Sequence, residues 1–347
     1  MKTADFSYHL PSELIAQSPV EPRDSARLLR ASDLSDWTVR DLPMLLKPGD
    51  LIVVNETRVR AARLIGRRDP TGGRVELLLL GRDGDRWKAL MKPSRRIRAA
   101  SVIRIGSLVA TVRTDPAEGM VELTLEAEAG GSAGRDVEEV IARVGQVPLP
   151  PYIHRNIDDP ERYQTVFGRN VGSAAAPTAG LHLTDRTLDG LKERGIGLAR
   201  VELQIGLDTF RPINVADVTD HVMHSEWIDV PGSTVRQIEE ARTAGGRIVA
   251  IGTTVVRALE TACAGGGMAP YRGSTRLYIT PGYRFGAVDV LITNFHMPSS
   301  SLLVLVAAFL GEAWRDVYGT ALARNYRFLS FGDAMLLERS AAPPLVR

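Results

Sequence analysis

Histidine is the side chain best suited to carry protons near neutral pH, and this 347-residue chain contains six. Four of them lie in segments without helical or strand periodicity: His182, His221, His224 and His296. A histidine in such a segment can act as a proton carrier or as a hydrogen-bonding anchor for a ligand. A structural histidine with satisfied hydrogen bonds is the alternative at each position.

The spacing of His221 and His224 in HVMHSE could place both on one helix face, which suggests a metal site. We expect none, because the H-E-x-x-H pattern is missing and no cysteine or acidic cluster completes a coordination shell. The chain also lacks a Walker A loop, a G-x-G-x-x-G fingerprint and a G-x-S-x-G elbow. The ordinary nucleotide-binding and hydrolase signatures are therefore absent.

The segment GSAAAPTAGLHLT, residues 172–184, is rich in small residues and has no clear periodicity. Small residues let a backbone approach a ligand closely, so this segment indicates a binding loop. The backbone N–H groups of Ala179, Gly180 and Leu181 are candidate donors to that ligand. Thr184 is a good N-cap for the helix that follows. A tight linker ahead of that helix is the alternative.

Two strand-turn-helix junctions carry hydroxyl, amide and imidazole groups. In RIVAIGTTVVRALE, a turn with Thr253 and Thr254 precedes a helix whose N-terminus favours an anionic or polar group. In the other, Asn294 and His296 end a strand and three serines, residues 299–301, open a helix. Open α/β sheets bind ligands beyond the carboxyl ends of their strands, so both turns could face one crevice. A well-capped structural turn is the alternative for each.

The elements that position these groups follow two patterns. Between residues 61 and 144 the apolar segments are short and punctuated by Gly and Asp: ARLIG, GRVELLLL, RWKALM, SVIRIG, LVATVR and MVELTLEAE. Short strands at this spacing predict a small antiparallel barrel or sandwich. On both sides of this region strands alternate with helices, which predicts a layered α/β domain.

The length of the chain suggests about two domains. We predict an α/β domain made of residues 1–60 and 148–339, an inserted β-barrel domain at 61–147, and a disordered tail at 340–347. The patterns predict strands at residues 51–54, 198–205, 247–251 and 288–295. They predict helices at residues 233–244 and 255–264, and a further helix that begins near residue 300 and ends at 313.

Two groups of basic residues could contact the phosphates of an RNA backbone. One consists of Lys92, Arg95, Arg96 and Arg98; the other consists of Arg58, Arg60, Arg63, Arg67 and Arg68. Solvated loop charge is the alternative for each group. The formal net charge is only +2, so any RNA-binding surface would have to be local.

Other features of the composition narrow the class of protein. A single cysteine, Cys263, excludes an intrachain disulfide and a cysteine-rich metal site. No signal peptide is evident at the N-terminus, and the longest apolar stretch, residues 302–310, is too short to cross a bilayer. We therefore expect a cytoplasmic protein.

Ten segments, in order along nearly the whole chain, resemble the S-adenosylmethionine:tRNA ribosyltransferase-isomerase family of queuosine biosynthesis. They are DFSYHLPSELIAQSP, PGDLIVVNETRV, PLPPYI, YQTVF, GSAAAPTAGLHLT, HVMHSEW, IGTTVVRALE, PGYRF, LITNFHMPSSSLLVLVAAF and YRFLSFGDAML. Ten collinear segments are far more specific than any single motif. The resemblance also implies an α/β domain interrupted by a β-barrel, which agrees with the two patterns above.

The resemblance implies a transferase that moves the ribosyl group of S-adenosylmethionine onto 7-aminomethyl-7-deazaguanine at the wobble position of a tRNA anticodon. The implied products are epoxyqueuosine in the tRNA, adenine and methionine. S-adenosylmethionine is then a consumed substrate, so we expect no cofactor and no metal. The expected partner is the anticodon stem-loop of tRNA; we expect no membrane contact and a monomeric chain.

This chemistry requires loss of a proton from a carbon next to a sulfonium, departure of adenine and control of an alkoxide or epoxide. We hypothesise that the donor is held by Thr178, Ala179, Gly180, Leu181, His182 and Thr184, with Thr253, Thr254, Arg257 and Glu260 on the opposite wall. The departing groups would contact Asn294, His296, Ser299 and Ser300. The candidate catalytic residues are His182 and His296, followed by His221, His224 and Glu226. The amine of the acceptor could itself take the proton.

The chain departs from the family where ELQIGLDTF, residues 202–210, replaces TLHVGxGTF. Gln204 stands in place of the histidine and cannot carry a proton near neutral pH, and Asp208 adds a charged side chain in place of a glycine. The other departures are Leu183, Glu202, Arg276 and Thr280. Two interpretations remain open. One is an active ribosyltransferase-isomerase, acting on this or another 7-deazaguanine acceptor; the other is a non-catalytic relative that binds RNA or S-adenosylmethionine.

Overall fold

The structure, a computed structural model, describes residues 1–95, 97–128, 136–155, 157–206 and 212–339. The predictions at Arg96, Asp208 and residues 340–347 lie outside the described residues. The chain divides into two compact units. The larger comprises Met1–Arg58, Pro150–Asn170 and Ala176–Arg347, and the smaller comprises Val59–Leu149 and Val171–Ala175. The domain boundaries inferred from the sequence stay a prediction.

The strands and helices follow in chain order. The strands are β1 (Arg27–Arg30), β2 (Ser35–Thr38), β3 (Leu51–Asn55), β4 (Thr57–Val59), β5 (Arg63–Asp69), β6 (Arg74–Asp83), β7 (Arg86–Lys92), β8 (Val102–Ile105), β9 (Leu108–Val112), β10 (Met120–Ala127), β11 (Asn170–Ser173), β12 (Gly197–Gln204), β13 (Glu226–Val230), β14 (Ile248–Ile251), β15 (Tyr271–Thr275), β16 (Val290–Asn294) and β17 (Ala334–Glu338). The α-helices are α1 (Leu42–Leu45), α2 (Val137–Val144), α3 (Asp185–Glu193), α4 (Gly232–Thr243), α5 (Thr253–Cys263), α6 (Ser301–Leu310) and α7 (Trp314–Ala323). Short 3-10 helices include Thr178–His182 and Gly311–Ala313.

The larger unit is built on a nine-stranded mixed sheet in the order β15-β13-β12-β3-β14-β16-β17-β1-β2. Its central strands β12, β3, β14 and β16 are parallel to one another. All residues of β3, β14 and β16 are buried, as expected for parallel strands covered on both faces. The carboxyl ends of these four strands therefore meet at one edge of the sheet.

The smaller unit contains a closed barrel in the order β10-β7-β6-β5-β8-β9, with antiparallel neighbours. Its six strands coincide with the six apolar segments singled out in the sequence. Alternate residues of β7, namely Trp87, Ala89 and Met91, point into the barrel core. Val140 and Ile141 of α2 join that core. The prediction of an α/β fold with an antiparallel barrel is confirmed.

Local sequence signals set several helix ends. Thr184 caps α3 by accepting a hydrogen bond from the backbone N–H of Thr187, as its sequence position indicates. Helix α5 begins at Thr253, two residues before the predicted start. Thr253 and Thr254 therefore form the first turn of the helix, and the predicted separate turn is wrong.

The apolar segment after residue 300 is two helices, where the sequence pattern predicted one ending at 313. Gly311 adopts a φ of +64°, which ends α6 because glycine tolerates left-handed angles that other residues resist. Strands β1, β2, β4, β11, β13, β15 and β17 were not predicted. Within the described residues, no helix is long and apolar enough to span a membrane.

Candidate active site

A pocket lies in the larger unit at the carboxyl ends of β12, β14 and β16, with about 720 Å³ of empty space, part of it open to solvent. The turn after β14 and the turn after β16 both line it, so the structure brings the two strand-turn-helix junctions together. Seven of the predicted site residues are in its wall: Thr178, Ala179, Thr253, Thr254, Asn294, His296 and Ser300. The edge of parallel strands that the sequence pattern pointed to is thus where this pocket forms.

Gly252 lets the end of β14 pack closely against Ala179 in the pocket wall. Its φ is +93°, and a Cβ at this position would lie 3.4 Å from the Cβ of Ala179. Its N–H donates to the carbonyl oxygen of Ile292 at 2.8 Å, which ties the end of β14 to β16. The hydroxyl-bearing first turn of α5 therefore starts directly beside residues 176–179.

Thr178 and Asn294 form a polar contact in the wall of the pocket. The Thr178 hydroxyl donates to Asn294 Oδ1 at 2.9 Å. Ser300 lies nearby as the N-cap of α6, and its Oγ accepts a hydrogen bond from the N–H of Leu303 at 3.2 Å. These contacts hold an amide and a hydroxyl in fixed orientations, as recognition of a polar ligand requires.

His296 is a neutral group in this pocket. Burial lowers the pKa of its imidazole to about 3, so the ring is uncharged at neutral pH. Its Nε2 lies 3.2 Å from the hydroxyl oxygen of Thr293, and its backbone N–H donates to the hydroxyl of Tyr318 at 3.0 Å. An imidazole of this kind can donate or accept a hydrogen bond, but it is a poor proton acceptor.

A second group of predicted residues forms a buried charge network, here called the Glu226 network and made of His224, Glu226 and Arg257. Glu226 accepts hydrogen bonds from His224 Nε2 at 3.1 Å and from Arg257 Nη1. Burial alone would raise the pKa of the Glu226 carboxyl, but the hydrogen bond from His224 and the positive charge of Arg257 lower it. Glu226 is therefore ionised, and it can orient His224 as a carboxylate orients a catalytic histidine.

Arg257 has one donor that remains available. Its side chain is 5% exposed, its Nε donates to the carbonyl oxygen of Leu277 at 3.0 Å, and its Nη1 contacts Glu226. Within the described residues its Nη2 has no hydrogen-bond partner although it is buried. A buried guanidinium N–H without a partner is costly, which marks this position as suited to an oxygen of a ligand.

The Glu226 network adjoins the pocket through two elements. Helix α5 carries Thr253 and Thr254 in the pocket wall and Arg257 one turn later. Residue Ile205 also lines the pocket, and the N–H of the next residue, Gly206, donates to Glu226 Oε1 at 3.3 Å. The predicted groups for ligand binding and proton transfer are thus neighbours in one unit.

His221 lies beside this network. Its ring packs edge-on against Tyr278, with centroids 5.3 Å apart. Burial lowers the pKa of His221. Within the described residues, no group of three or more His, Cys, Asp or Glu side chains is placed to hold a metal ion. The expectation of a metal-free protein stays a prediction.

His182 lies outside the lining of the pocket, and its contacts support the structural alternative. Its Nδ1 faces the carbonyl oxygen of Ala179 at 3.2 Å, and its Nε2 faces that of Gly332 at 2.8 Å. Burial lowers the pKa of His182, so the neutral ring donates from one nitrogen only. These contacts fix the turn Thr178–His182, so His182 positions the pocket wall.

Gly180, Leu181 and Thr184 also lie outside the pocket lining. A Cβ on Gly180 would come within 2.7 Å of the ring of Phe167, so the small residue serves internal packing where close approach of a ligand was predicted. The N–H of Gly180 is used by the carbonyl oxygen of Pro177 at 2.8 Å. Thr184 is engaged as the cap of α3.

Glu260 and Ser299 have structural contacts as well. The Glu260 carboxylate accepts hydrogen bonds from three successive backbone N–H groups, those of Gly286, Ala287 and Val288, at 2.9–3.1 Å. It therefore anchors the segment that leads into β16. Ser299 has a φ of +52°, and its N–H donates to the carbonyl oxygen of Phe6 at 2.9 Å.

Three polar residues of the pocket were missed: Tyr152, Thr293 and Ser330. The hydroxyls of Tyr152 and Ser330 lie 2.7 Å apart in its wall. Burial raises the pKa of Tyr152 to about 12, so it stays a neutral hydrogen-bonding group. The segment PLPPY was interpreted as a domain boundary, although its last residue, Tyr152, lines the pocket. Ser330 follows Leu329, whose φ of +70° no sequence pattern indicates.

The predicted RNA-binding residues that the structure describes belong to both units. Arg58 belongs to the larger unit, where its guanidinium pairs with Glu161. Lys92, Arg95 and Arg98 are exposed on the smaller unit, and Lys92 stands opposite a glutamate of β6 in the strand register. Their role in RNA binding stays a prediction.

The departures from the family pattern have contacts of their own. Gln204 donates to Glu202 Oε1 at 3.1 Å, and Asn170 donates to the other oxygen of Glu202 at 2.9 Å. Leu183 is buried in the core, whereas Arg276 is exposed. Thr280 accepts a hydrogen bond from Tyr283 through its backbone carbonyl, so its side chain is not needed for that turn.

Comparison with known proteins places this fold and pocket in a family. Residues 3–337 match the family model described as queuosine biosynthesis protein. The S-adenosylmethionine:tRNA ribosyltransferase-isomerase of Symbiobacterium thermophilum is 50% identical, over 97% of this chain and 100% of that protein. The protein of the same name from Synechococcus elongatus is 47% identical, over 98% of this chain and 96% of the other.

A crystal structure gives the same result. The S-adenosylmethionine tRNA ribosyltransferase of Thermotoga maritima superimposes with a TM-score of 0.54 and 35% sequence identity, covering 96% of this chain and 99% of that one. The match includes both the α/β unit and the barrel, since it spans nearly all of each chain. The chain therefore belongs to the queuosine biosynthesis protein family, that of the S-adenosylmethionine:tRNA ribosyltransferase-isomerases.

Proposed function

We propose that this chain transfers and isomerises the ribosyl group of S-adenosylmethionine onto 7-aminomethyl-7-deazaguanine at the wobble position of tRNA. Epoxyqueuosine in the tRNA, adenine and methionine are the products. The names of the relatives, at 45–50% identity over nearly the whole chain, support this reaction. Because tRNA and S-adenosylmethionine are cytoplasmic, the enzyme acts in the cytoplasm; the monomeric state stays a prediction.

The observation that carries the proposal is the chemical character of the pocket. Within the described residues its lining holds hydroxyls, one amide, one neutral imidazole and apolar side chains, with no residue charged at neutral pH. Apolar walls with a few fixed polar groups suit an adenosyl group. The Thr178–Asn294 contact and the Tyr152–Ser330 pair are the polar groups that would orient it.

An uncharged pocket also favours the first chemical step. Burial disfavours the charged form of an ionisable group, and the sulfonium of S-adenosylmethionine is a cation. Loss of a proton from the neighbouring carbon leaves the electron pair on that carbon. The positive sulfur and the negative carbon then carry no net charge together. Transfer of the sulfonium into this pocket therefore increases the acidity of that carbon.

The Glu226 network supplies a candidate proton acceptor. His224 is held by the ionised carboxylate of Glu226, and Arg257 balances the charge of that carboxylate. In this proposal His224 takes the proton and Glu226 positions it. The amine of the acceptor base is the competing proton acceptor, and replacement of His224 separates the two.

The test uses S-adenosylmethionine and a tRNA anticodon stem-loop that carries 7-aminomethyl-7-deazaguanine. Adenine and methionine are quantified, and the mass of the RNA is measured. We expect stoichiometric adenine release and an RNA that gains the cyclised ribosyl group. His224→Asn should lower kcat by about 100-fold or more if His224 is the proton acceptor, whereas Glu202→Gln, a carboxylate outside the pocket lining, should leave kcat near that of the wild type.

The opposite outcome is equally specific. Tight binding of S-adenosylmethionine without adenine release would show a non-catalytic relative or a different acceptor. In that case Gln204→His, which restores the family residue, is the next variant to assay. No binding of S-adenosylmethionine would refute the assignment of the pocket.

A further inference from the structure

Three arginines stand side by side on the outer face of the barrel, and they are here called the arginine row. In the strand register Arg67 of β5 lies directly opposite Arg74 of β6 on one side and directly opposite Arg104 of β8 on the other. All three side chains are exposed, while their neighbours Leu64, Val75 and Ile103 fill the barrel core. The row therefore crosses three adjacent strands on one surface.

Such a row is unfavourable for the barrel itself. Directly opposite residues in antiparallel strands have Cβ atoms about 4.5–5.5 Å apart, and like charges at that distance repel one another. The barrel does not require arginine at these solvent-facing positions. Its own stability therefore does not explain the repulsion across two successive strand pairs.

Of the three, only Arg104, at one end of the row, forms ion pairs with carboxylates in the described part of the chain. Arg104 pairs with Asp69 at 3.0 Å and also with Glu128. Arg67 instead donates from Nη1 to the carbonyl oxygen of Gly72 at 3.1 Å. Within the described residues neither Arg67 nor Arg74 forms an ion pair. Two adjacent guanidinium groups thus keep donors available for an external anion.

The surface around the row is concave. Arg67, Arg74 and Arg104 line a depression whose other charged residues are Arg68 and Asp69, the carboxylate that pairs with Arg104. Nearby Glu76 attracts Arg74 without forming an ion pair with it, because both of its carboxylate oxygens are engaged by Arg63 at 2.8 and 3.0 Å. A guanidinium fork matches the oxygens of a phosphate, and a row with the spacing of neighbouring strands presents several forks in line.

We propose that the arginine row is a binding site for the phosphate backbone of the tRNA substrate. This inference rests on the proposed function, which supplies the RNA. It joins Arg67, which the sequence already grouped with nearby arginines, to Arg74 and Arg104 of the neighbouring strands, which the sequence did not single out. Phosphate contacts set position and affinity and carry no base specificity, so the row contributes to the binding of tRNA and not to the choice of the modified base.

The test compares two double variants with equal loss of charge. Arg67→Ala/Arg74→Ala removes the two arginines without carboxylate partners. Arg82→Ala/Arg86→Ala is the matched control, because both arginines are exposed on the barrel but pair with Glu138 and Glu122. The dissociation constant of full-length tRNA is measured by fluorescence anisotropy over a range of salt concentrations, and adenine release is measured at saturating tRNA.

We expect Arg67→Ala/Arg74→Ala to raise the dissociation constant roughly 2- to 30-fold, the range that two exposed ion pairs supply. The slope of log affinity against log salt should fall by about one for each phosphate that the variant no longer binds. Adenine release at saturating tRNA should be unchanged. Because the substitutions relieve repulsion, Tm should stay the same or rise. Arg67→Lys/Arg74→Lys should retain most of the salt slope.

An unchanged dissociation constant and salt slope would overturn the inference, and so would an equal loss of affinity in the control variant. In both cases adenine release by the wild type would still support the proposed function. Conversely, a wild-type chain that binds tRNA through the row but releases no adenine would refute the proposed function and leave the row established.

Discussion

Replacing Glu226 by glutamine should strongly destabilise the larger unit. The carboxylate is 1% exposed and the paired Arg257 side chain 5% exposed, so solvent hardly screens their interaction. Glu226→Gln leaves the guanidinium buried without a counter-charge, and removal of one partner from a buried ion pair costs about 3–5 kcal/mol. It also replaces the carboxylate that accepts hydrogen bonds from His224 and Gly206.

The size of this effect can be separated from ordinary loss of a hydrogen bond. Glu202→Gln on the neighbouring strand is the matched control, since Glu202 accepts hydrogen bonds from Asn170 and Gln204 and its loss should cost about 1 kcal/mol or less. The free energy of unfolding is measured by urea titration followed by tryptophan fluorescence. A double-mutant cycle with Arg257→Met completes the assay.

The pH dependence gives an independent check. The pKa of Glu226 is lowered in the folded protein, so its ionised form stabilises the fold at every pH above its unfolded value of about 4.3. That stability is lost as the pH falls through the folded pKa. The difference between wild type and Glu226→Gln should therefore shrink as the pH falls below about 4.3.

Two results would refute this reasoning. One is a Glu226→Gln cost no larger than that of Glu202→Gln. The other is additivity in the cycle, because the double variant Glu226→Gln/Arg257→Met buries no unpaired charge and should be more stable than the sum of the single losses allows. Either result would show that the Glu226 network is not a tightly coupled buried pair.

Three further predictions concern the pocket. His296→Asn should raise KM for S-adenosylmethionine by about tenfold, the effect of one hydrogen bond to a ligand. Because burial lowers the pKa of His296 to about 3, the substitution should not change the pH profile of activity between 5 and 9. Loss of a titration step in that range would contradict this prediction. Thr178→Val removes the 2.9 Å hydrogen bond to Asn294 and should lower kcat/KM about fivefold, corresponding to about 1 kcal/mol. Thr184→Val is the control, because Thr184 lies outside the pocket lining and its loss should change stability alone. Equal kcat/KM in the two variants would count against the assignment of the pocket. Gly252→Ala places a side chain at φ +93° and 3.4 Å from Ala179, and should lower the free energy of unfolding by about 1–3 kcal/mol; an unchanged urea midpoint would be inconsistent with that strain.

Several parts of the fold could be predicted because they depend on neighbours in sequence. The six barrel strands alternate apolar and polar residues with a period of two, which any strand with one buried face must show. Thr184 caps its helix through a bond to a residue three positions away. The hydroxyl and amide groups after β14 and β16 were found because a strand followed by a helix is itself a local pattern.

The candidate site was only partly predictable from the sequence. The four histidines in non-periodic segments could not be ranked, because the burial that keeps His296 neutral in the pocket wall and places His182 outside the pocket lining depends on distant segments. Tyr152 meets Ser330 across 178 positions of sequence, and no spacing rule relates them. Ten collinear segments indicated the family, but each residue role stays a proposal.

The sequence by itself determined the class of the fold, the strands of the barrel and the family, because each of these rests on periodicity or on motifs within short segments. Only the tertiary structure decided which polar groups meet. Strand order brings Arg257 of α5 to Glu226 of β13, and strand register sets Arg67 between Arg74 and Arg104. The physical reason is that charge pairing, burial and pKa depend on distances between segments, which local sequence patterns do not specify.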